Sequence, residues 1–332
     1  MKTLLAKALG GARLSEDEAG SAMAAIMDGE ATPAQIGALL AALAVRGESE
    51  DEVVGFARVM RARALAVKAP GAVDTCGTGG DGARTFNIST AASLVVAACG
   101  VPVAKHGNRS SSGACGSADV LEALGVRLDP GPAVVQRSLD ESGWGFLFAP
   151  AFHASTRHAV GPRRELGVRT AFNLLGPLTN PALPEAQVVG VPRAELVPFV
   201  ARCLRRLGVK RAWVVHGAGL DEIGLEGETA VAAFDQAGER AFAVRPEDAG
   251  LPGAPLAALR GGDAAANARA TTELLQGRRS PLRDAVVLNA AAALVVAGRA
   301  KDLREGAAQA AEAIDGGGAA ALLERARGIS VS

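Results

Sequence analysis

Residues 74–90 read DTCGTGGDGARTFNIST, four glycines and two aspartates set ahead of an apolar run. Glycine loses the most backbone entropy on folding and packs no side chain, so such a cluster needs a geometric reason, usually a backbone that must approach something closely. The loop follows the short run GAV and leads into NISTAASLVVAA, where hydroxyl and amide side chains precede an apolar helical stretch. In α/β sheets ligands bind at the carboxyl ends of strands, which is where this loop would stand.

The chain beyond it has the matching pattern. Short β-branched runs, VPVA (101–104), AQVVGV (186–191) and AWVVH (212–216), alternate with alanine- and leucine-rich helical segments at 117–124, 194–207, 262–276 and 303–326. That alternation predicts crossover units on a mostly parallel sheet. Ahead of the loop the signals are helical. Ser15 with Glu18, Thr32 with Pro33 and Gln35, and Ser49 with Glu52 each pair an N-cap side chain with a partner three residues on. Ile36, Leu39, Leu40 and Leu43, then Val53, Phe56, Ala57 and Met60, follow at helical spacing. The sequence therefore predicts an α/β protein in two parts, a small helical domain over 1–66 and a larger α/β domain over 71–332, joined through VKAPGAV.

Size and composition agree with two domains. The chain has 332 residues, 49% of them hydrophobic, enough for a sizeable core. Aromatic residues are 3% with no Tyr, which opposes stacking platforms for single-stranded nucleic acid. Lys+Arg and Asp+Glu cancel at 35 each, so no global field recruits DNA or an anionic membrane. Cys76, Cys99, Cys115 and Cys203 form no C-x-x-C pair and suit reduced thiols in a cytoplasm. The first residues turn acidic too soon for a secretory signal, and the longest apolar stretches fall short of a membrane span, so a soluble protein is expected.

Gly77, Gly79 and Gly82 satisfy G-x-G-x-x-G, but a dinucleotide fingerprint must open directly into a helix and be followed by an acid about 20 residues on. Here Thr85 and Phe86 intervene, and no Asp or Glu occurs between Asp81 and Asp119. A P-loop is excluded because no Gly-Lys-Ser/Thr follows. The acid-free stretch carries Arg84, Lys105, His106 and Arg109 among many hydroxyls, a composition suited to a multiply charged anion. A helix start beside Asn87, Ser89 and Thr90 would add free N–H groups and a positive dipole end. KHGNRSSSG (105–113) ends the next strand and is expected beside the first loop. HGAGLDEIGLEG follows AWVVH and holds the adjacent acids Asp221 and Glu222, which can serve one site only from a loop or across two metal ions. Magnesium, usually held by one or two carboxylates plus substrate phosphates, fits that pair. A flexible loop, a capped helix and a solvated turn would account for each feature taken singly.

GTGGD (77–81), NIST (87–90), KHGN (105–108), GSADVLEALG (116–125), RRELGVRTAFNLLGPLTNP (163–181) and VVHGAGLDE (214–222), in this order over nearly the whole chain, resemble the anthranilate phosphoribosyltransferase family. The resemblance implies the nucleoside-phosphorylase-like fold of that family and a homodimer. It implies transfer of phosphoribose from phosphoribosyl diphosphate (PRPP) to the amine of anthranilate, the second step of tryptophan synthesis from chorismate. By matching motif, PRPP would meet Gly77, Gly80, Asp81 and Thr85, then Asn87, Ile88, Ser89 and Thr90. It would also meet Lys105, His106, Gly107, Asn108 and Arg109, then Ser110, Ser111, Ser112 and Gly113, and Ser117. Magnesium would be held by Ser89, Asp221 and Glu222, and anthranilate would meet Gly77, Asn108 and Arg163. Lys105, Asn108 and Arg163 are then the expected catalytic residues.

Two departures stand out. SSSGACG (110–116) replaces the family's usual Ala-Val-Ser-Ser-Lys-Ser, so a basic residue becomes Ala114 and a serine Cys115, which bears on the PRPP contacts. HASTRHAVGP (153–162) replaces the usual His-Pro-Ala-Met, which bears on anthranilate positioning. Two alternatives stand beside this reading: a pyrimidine nucleoside phosphorylase of the same fold, and a non-catalytic relative that binds nucleic acid.

Overall fold

A computed structural model describes residues 1–110 and 115–332. Helices α1 (Lys2–Leu9), α2 (Glu16–Met27), α3 (Pro33–Arg46) and α4 (Glu50–Arg63) form the amino-terminal bundle. The three expected capping boxes are present: Ser15, Thr32 and Ser49 each accept the N–H three residues on, and Glu18, Gln35 and Glu52 return the bond. Glu52 does more than cap. Its buried carboxylate also accepts the Leu14 N–H at 2.8 Å and pairs with Arg46 at 2.6 Å, tying the loop before α2 to α4.

The larger part is a seven-stranded sheet of β1 (Val73–Asp74), β2 (Val103–Gly107), β3 (Trp144–Phe148), β4 (Ala186–Gly190), β5 (Arg211–His216), β6 (Thr229–Asp235) and β7 (Gly238–Val244), in the order β3-β2-β1-β4-β5-β6-β7. The first five are parallel, as the alternation predicts, while β6 and β7 form an antiparallel hairpin at one edge. Both faces of the central strands are buried. Val188, Trp213 and Val215 enter one core cluster, whereas Val189, Ala212 and Val214 enter the other, the period-two signature of a sheet covered on both sides. Helix α5 (Ile88–Ala98) and the helix Pro281–Val296 cover the first face. The helix Leu196–Arg206 and the bundle cover the second, where Ile36, Leu39 and Phe56 share a cluster with Phe172 and Leu204. The bundle is thus welded to the α/β part by a common core.

Several elements differ from the sequence expectation. The 303–326 stretch is two helices, Leu303–Asp315 and Gly318–Val331, because Gly317 takes a φ of 75° between them. The VPVA strand starts only at Val103 but runs on through Lys105 and His106. Parallel pairing with β3 carries it there, Lys105 facing Phe146 and His106 facing Leu147 in register. Hairpin β6–β7 and the helices Pro132–Ser142 and Pro281–Val296 were not marked by the runs read above.

Candidate active site

Strand order reverses between β1 and β4. From β1 the chain builds outward through β2 and β3, then returns to β4 on the other side. Such a switch point leaves a crevice outside the strand ends, and four loops converge on it: those after β1, β2, β4 and β5. The glycines of the first loop have separate reasons. Gly79, Gly80 and Gly82 take φ values of 70°, 82° and 77°, which a side chain disfavours. Gly77 is needed for proximity, since a Cβ there would stand 2.9 Å from Asp221 Oδ2 and 3.2 Å from the Gly190 carbonyl. At Gly190 a Cβ would fall 1.6 Å from the Asp221 carbonyl, so the acid loop can cross the end of β4 only over glycine.

Adjacent in sequence, Asp221 and Glu222 reach different walls of the same crevice. Asp221 Oδ2 accepts the Gly79 N–H at 2.6 Å, and Glu222 Oε1 accepts the Ser89 N–H at 3.0 Å. Asp81 Oδ2 in turn accepts the Asp221 N–H at 3.2 Å, while Asp81 Oδ1 closes a turn onto Ala83. Burial, then the neighbouring acids, pushes Asp221 well above the ordinary carboxylate range. Burial likewise pushes Glu222 up to about 7, against the lowering pull of Ser89 and Lys105. A crowded acid group of this kind is short of positive charge, and a divalent cation fits it. Among the described residues no group of three or more His, Cys, Asp or Glu side chains could hold a metal unaided. Two carboxylates and the Ser89 hydroxyl would leave the remaining positions to substrate oxygens, which suits magnesium.

Lys105 and His106 lie in the strand and are each only 2% exposed. Lys105 Nζ donates to the carbonyls of Thr75 and His106 at 3.4 and 3.2 Å, so it stands behind the crevice as a buried cation between Asp74 and Glu222. Asp74 is anchored by Asn180 at 2.8 Å and by the His106 N–H at 3.2 Å. Ile88 and Thr90 are buried in α5, so their side chains face the core. Asn87 bonds to Asn267 at 2.9 Å and to the Cys115 carbonyl at 3.1 Å, joining three segments. Thr85 bridges to Arg260.

After β2, Gly107 gives room to Ser117 Oγ, which would lie 2.2 Å from a Cβ there. Ser117 Oγ bonds to both the N–H and carbonyl of Asn108 at 3.2 Å. Asp119 Oδ2 gathers the N–H groups of Ser110 and Gly116, at 3.1 and 2.8 Å, and so closes the neck of the 110–116 loop. Ser111, Ser112, Gly113 and the departure at Ala114 lie outside the described residues. Arg109 does not turn toward the glycine loop; it pairs with Asp119 at 2.9 Å and Glu122 at 2.8 Å.

Beside Asn108 opens a cavity of about 220 Å3 lined by His106, His153, Arg163, Phe172 and Thr179 among others. Arg163 lies 4.8 Å over the Phe172 ring, and burial lowers its otherwise high pKa. Val160 and Arg163, three apart on the helix Arg157–Leu166, reach this wall from one helix face, while His153 and Thr156 reach it from the 3-10 turn ahead of that helix. The HASTRHAVGP departure therefore lines the cavity as a 3-10 turn running into a helix. His106 donates through Nδ1 to the Gly176 carbonyl, 2.9 Å away, and stacks edge-on to His153 at 5.4 Å. Burial drives its pKa down to about 3, so the ring is neutral. A larger cavity of about 690 Å3, between the helices Ala264–Leu275 and Gly318–Val331, includes none of the expected site residues.

The expected residues Gly77, Gly80, Asp81, Ser89, Asp221 and Glu222 thus meet in one crevice, with Asn108 and Arg163 at the neighbouring cavity. Asp74, His153, Phe172, Thr179, Asn180 and Arg169 belong to the same region without having been singled out from sequence. Phe172, Thr179, Asn180 and Arg169 all fall in RRELGVRTAFNLLGPLTNP, a segment that carries the family resemblance but in which only Arg163 was given a role.

Two family models match the chain. The glycosyl transferase family helical bundle domain covers residues 2–64, and the glycosyl transferase family a/b domain covers residues 69–320. An anthranilate phosphoribosyltransferase of Moorella thermoacetica is 55% identical over 98% of this chain and 96% of that one. One from Paramagnetospirillum magneticum is 56% identical over 98% and 94%. Among solved structures, the anthranilate phosphoribosyltransferase of Thermus thermophilus superposes with a TM-score of 0.94 at 48% identity, covering 99% of both chains. The Saccharomyces cerevisiae enzyme in complex with PRPP and Mg superposes with a TM-score of 0.90 at 27% identity, covering 99% and 98%.

Proposed function

The chain belongs to the anthranilate phosphoribosyltransferases and transfers the phosphoribosyl group of PRPP to the amine of anthranilate, and we propose that it does so in the crevice between the glycine loop and Asp221–Glu222, with magnesium held by Ser89, Asp221 and Glu222. The products are N-(5-phosphoribosyl)anthranilate and diphosphate. The observation that carries the assignment is the convergence of two burdened carboxylates on the amides of Gly79 and Ser89 at the switch point.

The C1–O bond to diphosphate breaks as the C1–N bond forms, building oxocarbenium character on the sugar and negative charge on the leaving group. Magnesium bound there would supply charge neutralisation for the diphosphate. Loop amides of the GTGGD segment provide further stabilisation where that charge develops. Lys105, held behind Glu222, partly offsets the burial that holds the proton on that carboxyl and contributes through the field. The amine of anthranilate is aromatic and neutral near pH 7, so no strong base is required, and its departing proton goes to solvent or the phosphate oxygens. Arg163, preset over Phe172, is placed to pair with the substrate carboxylate beside Asn108. The remaining motif residues, from Thr85 to Ser117, are assigned to PRPP through their backbones and hydroxyls.

We further assign residues 1–66 as the dimerisation domain of a homodimer and 71–332 as the catalytic domain. The exposure of Leu9 (64%) and Val45 (91%) on α1 and α3 supports the first part. A cytoplasmic enzyme suits the free thiols of Cys76, Cys99, Cys115 and Cys203. No helix among the described residues is long and apolar enough to cross a membrane.

The test is to mix purified protein with PRPP, magnesium and anthranilate and follow the loss of anthranilate fluorescence. Phosphorolysis of thymidine or uridine in its place would favour the phosphorylase alternative, and salt-dependent DNA binding without transfer would favour the nucleic-acid-binding one.

A further inference from the structure

Arg169 leaves the segment before Phe172 and crosses to the glycine loop. Its Nη1 donates to the carbonyls of both Gly79 and Gly80, at 3.3 and 3.1 Å. The fit is close from the loop side as well, since a Cβ on Gly80 would stand 1.8 Å from that nitrogen, and Gly80 has a φ of 82°. In a trans peptide the C=O of one residue and the N–H of the next point in opposite directions, and the chain has no cis peptide among its described residues. Pulling the Gly79 and Gly80 oxygens to one side therefore turns the N–H groups of Gly80 and Asp81 to the other. Among the described residues the N–H groups of Gly80, Asp81 and Gly82 have no acceptor, whereas the Gly79 N–H is taken by Asp221. Three consecutive unpartnered amides beside positive-φ glycines form an anion-binding concavity.

We propose that Arg169 is a positioning residue of the diphosphate site: by holding the carbonyls of Gly79 and Gly80 it presents the amides of Gly80 and Asp81 to the leaving diphosphate. The proposal rests on the assignment of PRPP to this crevice. Its electrostatic sense is direct. An anion entering the loop meets the positive ends of these peptide dipoles, while their negative ends are covered by a guanidinium that itself lies in the field of Asp81 and Asp221. Asp221 fixes the Gly79 N–H and Arg169 fixes the carbonyls of Gly79 and Gly80, so the loop is set before substrate arrives. Arg169 is separate from Arg163, which serves the other cavity.

The experiment uses the full-length chain as wild type, Arg169→Ala and Arg169→Lys. It measures kcat, the KM for PRPP and for anthranilate, calorimetric binding of magnesium diphosphate, and the melting temperature. Arg169→Ala is expected to raise the PRPP KM and the diphosphate Kd by about 10- to 100-fold, leaving the anthranilate KM within roughly twofold. Arg169→Lys is expected to recover most of the loss, because one ammonium can still hold the two carbonyls. Unchanged diphosphate affinity in Arg169→Ala, or a parallel rise of both KM values with a large drop in melting temperature, overturns the proposal. Loss of diphosphate binding that lysine does not restore also overturns it, since that pattern marks a direct bidentate contact. Failure of the wild type itself to bind magnesium diphosphate would instead sink the PRPP assignment.

Discussion

Asp221 Oδ2 accepts the backbone N–H of Gly79 at 2.6 Å across 142 positions of sequence. This bond couples the loop after β5 to the loop after β1, so the acids and the glycine amides form one unit. With the Asp221 N–H returned to Asp81, each loop is defined by the other.

Replacing Asp221 with Asn and Glu222 with Gln together keeps shape but removes the charge available to a cation. Transfer is expected to fall by at least about 100-fold, since metal-assisted charge stabilisation is worth several kcal/mol. The melting temperature without metal should not fall, because two crowded carboxylates are relieved. Anthranilate fluorescence and thermal melts measure both, and near-normal transfer would contradict the metal assignment.

Glu222 also predicts a pH dependence. In the folded chain its proton is held up to about 7, against an ordinary value of 4.5. The unfolded chain therefore releases that proton first, and this group's contribution makes folding less favourable as pH rises from about 4.5 to 7. In EDTA the melting temperature of wild type relative to Glu222→Gln should decline between pH 5 and pH 8. Magnesium with diphosphate should stabilise more at pH 8 than at pH 5. A rising difference would contradict the sign.

His106 is neutral across the working range, its pKa lowered to about 3 by burial and by His153. His106→Asn should keep kcat within about tenfold, less than the loss expected for an essential acid–base group. No limb of the pH–kcat profile between 5 and 9 should disappear. Abolished turnover with PRPP affinity intact would show that a base is needed.

Arg163→Ala should raise the KM for anthranilate by roughly 10- to 100-fold, the range of a lost charge-assisted pair, with the PRPP KM little changed. Arg163→Lys should recover only part, because the planar guanidinium over Phe172 is lost. Steady-state kinetics in each substrate decides it.

In the bundle, Ser49→Ala removes one N-cap bond and should cost about 1 kcal/mol. Glu52→Ala should cost more, on the order of 3 kcal/mol, because it strands Arg46 and the Leu14 N–H. Denaturant unfolding of both variants measures the gap, and equal losses would argue against a structural role for the buried carboxylate.

Local chemistry made much of this protein legible. Ser15, Thr32 and Ser49 announced three helix starts because a capping box is a bargain among four neighbouring residues. The parallel sheet followed from alternating runs, and the glycine loop from a density that only backbone geometry explains. Hairpin β6–β7 and the helix Pro281–Val296 escaped, since their patterns matter only against the sheet they cover.

Sequence by itself determined the helical bundle, the α/β class and the residue types gathered for an anion, because these depend on interactions within a few positions or on composition. Tertiary structure alone decided that Lys105 is a buried counter-charge, that Arg109 pairs away from the loop, and that Arg169 holds the Gly79 and Gly80 carbonyls. Those outcomes turn on strand order and on which loops cross at the β1–β4 switch point. Residues far apart in the chain acquire their electrostatic roles only when that crossing brings them within hydrogen-bond reach.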